Sequence, residues 1–242
     1  MLETTMHGDV GLIVLDRPEK RNALSGDLLQ ALRDSVLEMG IGKARCIVIT
    51  GKGSAFSGGA DLDGVYNDEF RSQLYGALEA IRAVQVPVIA AVNGPAIGAG
   101  TQMALACDLR VATDSAVFAV PTARNGLAVD PWTVRRLSLL AGGGAARELL
   151  LGSGVLDVFR AHSRGLVDRI GDLSDALSWA GEIATLAPLT LAYSKLALET
   201  LFEPAADDPD LERLFEACWD SDDVQEGIRA RVEKRLPQFT GR

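Results

Sequence analysis

The sequence predicts an α/β fold with a helical C-terminal region. Two observations carry this: short β-branched runs alternate with amphipathic patterns over roughly the first 120 residues, and helical patterns follow one another after about residue 180. The segment 10–16, VGLIVLD, reads as a strand. Residues 25–40 read as a helix with Leu28, Leu32, Val36 and Met39 on one face. ARCIVIT (44–50) is a second strand, followed by the Gly-rich turn GKGSAFSGGAD. A helix is predicted from about 69 to 84, and a buried strand over 86–94 leads into the small-residue helix start AIGAG. DLRVAT and AVFAV are further short strands. Helices are predicted in 176–188, 189–202, 210–221 and 222–235, and a boundary near Pro188 divides a core (1–187) from a helical region (188–242).

At 242 residues and 48% hydrophobic content the chain can bury a sizeable core. Its longest apolar stretch, around Val86–Val92, is too short to span a bilayer, and the first ten residues lack the pattern of a signal peptide. Cys46, Cys107 and Cys218 form neither a disulfide framework nor a metal-ligand spacing, so a reducing cytoplasm is the expectation. A formal net charge of −9 argues against nucleic acid and anionic membranes, but not against a small anionic ligand held by a few local cations. His7, placed before the first strand, and His162, in the polar run RAHSRG, read as surface imidazoles.

The chemistry concentrates in two Gly-rich turns that each follow a strand, GSAFSGGAD (53–61) and AIGAG (96–100). A helix start without side chains exposes N–H groups that nothing in the helix satisfies. Two such turns could each lend one donor to a single oxyanion; tight packing is the competing explanation. AGGGAARELL (141–150) and GKGS (51–54) lack the spacing of a phosphate-binding loop, and Trp132, Trp179 and Trp219 read as packing anchors. Asp130, directly before Pro131, reads as a helix N-cap.

IAAVNGPAIGAGTQMALACDL resembles the signature of the enoyl-CoA hydratase/isomerase, or crotonase, superfamily. LDRPEKRNAL, SAFSGGADL, VPTARNGLAVD, SRGLVDRI and VEKRLPQF follow in the family's order, so the likeness spans essentially the whole chain. The resemblance implies a crotonase-like spiral of repeated ββα units whose C-terminal helices drive a homotrimer or dimer of trimers. It implies a coenzyme A thioester, acyl-CoA or enoyl-CoA, as substrate or ligand, with no metal and no other cofactor. The family's oxyanion donors fall on the backbone N–H groups of Ala60 and Ala99. The CoA groove falls on Arg21, Ala23, Leu24, Ala60, Asp61 and Leu62, and Lys234, in a helix, would reach the CoA phosphate of a neighbouring subunit; a solvated cationic helix end is the alternative. Where relatives carry a basic residue this chain has Asp63, which weakens the phosphate contacts or shifts them to Lys20 and Arg21.

The two glutamates of hydratases fall on Gln102 and Thr122. Neither side chain can exchange a proton near neutral pH, and a positioned acid or base contributes roughly 10²–10⁴ in rate, so ordinary hydration should be nearly abolished. Asp130 matches a catalytic aspartate of isomerases in the family, which leaves an isomerase or lyase using Asp130 as the alternative. GPAIGAGTQMALACDLR and GLAVDPWTVRRL look most like a mycobacterial subgroup lacking both glutamates. That likeness implies a role in lipid metabolism, carrying acyl chains, with a fatty-acid-synthesis protein as a partner.

Overall fold

The structure, a computed structural model, describes residues 1–61, 67–201, 216 and 219–238. Leu62, Asp63, Cys218, most of the helix expected over 210–221 and the last motif's Phe239 lie outside these residues.

The large sheet contains β1 (Leu2–His7), β2 (Val10–Leu15), β3 (Cys46–Gly51), β4 (Val88–Val92), β6 (Leu109–Ala112) and β9 (Arg169–Ile170), in that spatial order. β1 and β2 are antiparallel, and every other pair is parallel. The second sheet holds β5 (Ala96–Ile97), β7 (Val117–Ala119) and β8 (Val155–Asp157). Isolated parallel bridges, Ser57 to Ala96 and Leu24 to Ala60, continue this second layer beyond β5. Each turn of chain therefore lays one strand in the large sheet and a short one in the second layer before a helix returns it. This is the repeated ββα spiral.

The helices are α1 (Gly26–Ile41), α2 (Asp68–Ala83), α3 (Ala99–Ala106), α4 (Pro131–Leu150), α5 (Val158–Ser163), α6 (Leu173–Ala184), α7 (Pro188–Glu199) and α8 (Asp222–Val232). Ser25 caps α1 by accepting from the Leu28 N–H, and Asn67 caps α2 through Phe70. α4 is broken at Gly142, so the glycine run lies inside a kinked helix, not ahead of one. Strand alternation sends Ile13, Leu15, Ile47 and Ile49 into the core shared with α1 to α4. Val10, Leu12, Cys46 and Val48 point the other way, against α6. Strands covered on both faces read as continuous apolar runs. β1 escaped the sequence reading because LETTMH is nearly all exposed, and His7 ends this strand, not preceding the first one. Among the described residues no helix is long and apolar enough to cross a membrane.

Buried charges fasten α7 to the core. Lys195 donates to Ile81 and Val86 carbonyls and pairs with Asp108 at 2.8 Å. Glu199 bridges Arg136 at 2.7 Å and Arg82 at 2.9 Å. Arg136 in turn donates to Leu105 and Cys107 carbonyls at the C-terminal end of α3. Each expected tryptophan anchor lies against an arginine: Trp132 against Arg82 and Arg136, Trp179 against Arg169, Trp219 against Arg71. Burial pushes the Cys46 and Cys107 thiols up to about 12, so both are inert packing groups at neutral pH.

Candidate active site

The two Gly-rich turns meet face to face. Gly59 has φ +99°, and a Cβ on it would stand 2.8 Å from the Ile97 carbonyl oxygen and 3.9 Å from the Ala99 nitrogen. A Cβ on Gly100 would stand 2.5 Å from the Ser57 carbonyl oxygen. Only glycine permits this approach, so the small residues serve packing and exposure together. Among the described residues neither the Ala60 nor the Ala99 N–H donates to a protein acceptor. Both residues line one cavity of about 130 Å³, as do Gln102, Thr122 and Tyr75.

The scaffold behind the turns is a network that the sequence reading missed. Asn22 is fully buried, sits at φ +55° and donates to the Lys52 and Ala55 carbonyls. Its own carbonyl accepts from the Ser57 hydroxyl, and Gly58 N–H donates to the Arg21 carbonyl. These bonds tie the RNAL turn to the 53–61 turn. Ala23 and Leu24 follow, with the Leu24 carbonyl accepting from Asp61 N–H. Asparagine's tolerance of left-handed backbone is the sequence signal that could have singled out Asn22.

Two of the charges expected at the CoA groove, Asp61 and Lys20, are already paired. Arg17, also missed, bonds Asp61 at 2.8 Å, and Lys20 reaches the same oxygen at 3.4 Å. Burial alone would raise the Asp61 carboxyl, but the hydrogen bonds from Arg17 and Lys20 outweigh it and hold the carboxyl below its usual value. Arg21 stays exposed in a left-handed turn. Lys234 lies past the end of α8, with φ +53°, not within a helix as the sequence reading placed it. The helix end is neutralised differently: Glu226 grips Arg235 at 3.0 Å and accepts from Gln238 N–H.

Gln102 and Asp130, 28 positions apart in the chain, come together. The Gln102 Nε2 donates to Thr133 Oγ1 at 3.0 Å and to Asp130 Oδ1 at 3.4 Å. Asp130 also accepts from the Thr133 hydroxyl and, at 3.3 Å, from the Thr133 N–H. The cap predicted from Asp-Pro is present, with Pro131 in the first turn of α4. Thr133 was missed, although the third position after an N-cap is where a partner is expected. Burial pushes the Asp130 carboxyl up, opposed by the two Thr133 bonds. Burial likewise pushes the Tyr75 phenol up, and the Asp130 charge adds to it. Thr122 sits on a 3-10 turn, Thr122–Asn125, at the cavity wall. No Asp or Glu lines the cavity among the described residues. None of their His, Cys, Asp or Glu side chains form a group of three able to hold a metal.

A spiral of ββα units with two abutting backbone-donor turns defines the crotonase class, and the chain belongs to the enoyl-CoA hydratase/isomerase family, whose profile matches residues 5–242. It is 45% identical, over all of both chains, to a probable enoyl-CoA hydratase, echA6, of Mycobacterium tuberculosis (strain CDC 1551 / Oshkosh). Its structure is similar to a methylmalonyl-CoA decarboxylase in complex with 2-nitronate-propionyl-CoA. That likeness has a TM-score of 0.91 and 25% identity, covering 100% of this chain and 98% of the other. An enoyl-CoA hydratase/isomerase from Pseudoalteromonas atlantica T6c gives a TM-score of 0.86 at 30% identity, covering 99% of each.

Proposed function

We propose that this chain binds fatty acyl-CoA or enoyl-CoA thioesters through the Ala60 and Ala99 amides without hydrating them. The observation that carries this is the pairing of two unsatisfied backbone donors with a cavity that no described carboxylate lines. The donors suit a polarised thioester oxygen. Hydration also needs a group that takes up and returns a proton at the cavity, and there Gln102 and Thr122 supply only an amide and a hydroxyl. The similar decarboxylase structure, which holds a CoA thioester analogue, supports the ligand class. Exposed Leu189, Tyr193 and Leu196 on α7 support burial against another copy of the chain, in the homotrimer or dimer of trimers that the family resemblance implies.

A second reading, double-bond migration through Asp130, has one observation in its favour: burial raises that carboxyl, as in many proton carriers. Against it, Asp130 is held by Thr133 and Gln102 and is not among the described residues that line the cavity. The test incubates near-stoichiometric protein with 2-enoyl- and 3-enoyl-CoA esters, following the conjugated thioester by absorbance and mass while binding is recorded. Tight binding with the thioester unchanged is the expected outcome. Water addition well above that of a Gln102→Ala/Asp130→Asn double variant would refute the proposal. Migration abolished by Asp130→Asn would establish the second reading.

A further inference from the structure

The C-terminal helix packs directly on the turn that carries Thr122. A Cβ at Gly227 would stand 2.3 Å from the Asn125 carbonyl oxygen, so α8 can approach this turn only through a glycine. Four residues on, and so on the same helix face, Arg231 lines the cavity.

Arg231 differs from its neighbours. Arg229 and Arg235 both pair with Glu226. The Arg231 side chain makes no hydrogen bond or ion pair among the described residues. The other charged group on the described lining is also a guanidinium, Arg71, which pairs with Asp68 and Glu216 and lies 5.0 Å from the Trp219 ring. With Arg71 held by two carboxylates, Arg231 is the guanidinium of the described lining that is left to meet an anion, and no described carboxylate lines the cavity beside it. A guanidinium presents a planar fork that matches a carboxylate.

We propose that Arg231 reads a carboxylate on the acyl group, so that the thioesters favoured at this site are those of short dicarboxylic acids. The proposal rests on the thioester reading above, in that the Ala60 and Ala99 amides hold the thioester oxygen, and replaces its fatty chain with a short dicarboxylic acyl group. Size agrees with it: the cavity's 130 Å³ is close to the ~150 Å³ that accommodates a benzene-sized guest. A succinyl or glutaryl group fits that space. The shared chemistry, an anion, could also be a phosphate of CoA itself, and the experiment separates the two.

Calorimetric titration of the whole chain would compare pentanoyl-CoA, glutaryl-CoA, free CoA and the glutaryl thioester of N-acetylcysteamine, which has no phosphate. Glutaryl-CoA is expected to bind on the order of fivefold more tightly than pentanoyl-CoA, the effect of one charge-assisted bond to an exposed guanidinium. Arg231→Met should bring that ratio to about one, Arg231→Lys should retain part of it, and the phosphate-free thioester should lose affinity in Arg231→Met. Equal binding of the two esters by the wild type overturns the proposal. So does an equal loss for pentanoyl-CoA, glutaryl-CoA and free CoA in Arg231→Met, which would assign the side chain to a CoA phosphate. Failure of every CoA ester to bind would overturn the thioester reading itself, and the proposal with it.

Discussion

Replacing Gln102 with glutamate tests how closely the amide is matched to Asp130. The substitution is isosteric, so a carboxylate oxygen would take the place of Nε2, 3.4 Å from Asp130 Oδ1 and 3.0 Å from Thr133 Oγ1. The bond to Asp130 becomes a contact between acceptors, and the one Thr133 hydroxyl proton, now given to Asp130, must serve two carboxylates. At 3.4 Å two unit charges repel by about 5 kcal/mol at an effective dielectric of 20. The folded pair escapes by keeping a proton, which raises its titration further above that of Asp130, already raised by burial. A folded state that holds a proton the unfolded chain has released loses stability as pH rises. The slope is at most about 1.4 kcal/mol per pH unit per proton, so a deficit of roughly 2–4 kcal/mol is expected near pH 8, shrinking towards pH 5. Urea unfolding followed by tryptophan fluorescence at several pH values measures it, and Gln102→Glu/Asp130→Asn should restore a flat profile. A Gln102→Glu protein as stable as wild type near pH 8, with no added pH slope, would refute the reasoning. The same logic bears on catalysis: hydration is expected to appear in Gln102→Glu/Thr122→Glu only when Asp130→Asn is added, as a coupled enoyl-CoA assay would show.

Three further outcomes are expected. Gly59→Ala forces a side chain into a positive-φ position beside the Ile97 carbonyl, a strain of roughly 1–3 kcal/mol. By displacing one oxyanion donor it should weaken acyl-CoA binding more than binding of free CoA; calorimetry with both ligands decides. Asn22→Ala strands the buried Ala55 carbonyl and removes the bond to the carbonyl of exposed Lys52, and a loss of about 1–3 kcal/mol is expected in denaturant titration. Glu226 is held at about 2 by its Arg235 hydrogen bond and by Gln238 N–H, against an ordinary value of 4.5. Because the folded value is the lower one, its contribution is complete above 4.5 and fades as pH falls towards 2. Hydrogen exchange across 222–238 should quicken over that window in the wild type and show no such step in Glu226→Gln.

Much of the fold is written locally. Ser25 caps α1, Asp130 and Pro131 open α4, and the β-branched run at 46–51 is a fully buried strand. Each depends on neighbours a few positions away, where spacing and side-chain type suffice. The bare turns at 57–60 and 98–100 were legible for the same reason: absent side chains are visible in a sequence. β1 was not, because an exposed edge strand pairs through backbone atoms that any residue supplies.

By itself, then, the sequence determined four strands of the large sheet, the helix starts at 25 and 130, the two side-chain-poor turns, and an amide and a hydroxyl at 102 and 122. Tertiary structure decided the partnerships. Arg17 reaches Asp61 across 44 positions, Gln102 meets Asp130 across 28, and α8 brings Arg231 to a cavity built mostly from the first 130 residues. Which carboxylate a guanidinium finds, and whether an aspartate lines a cavity, depends on distances of a few ångströms between segments remote in the chain. Spacing along the chain carries no record of those distances.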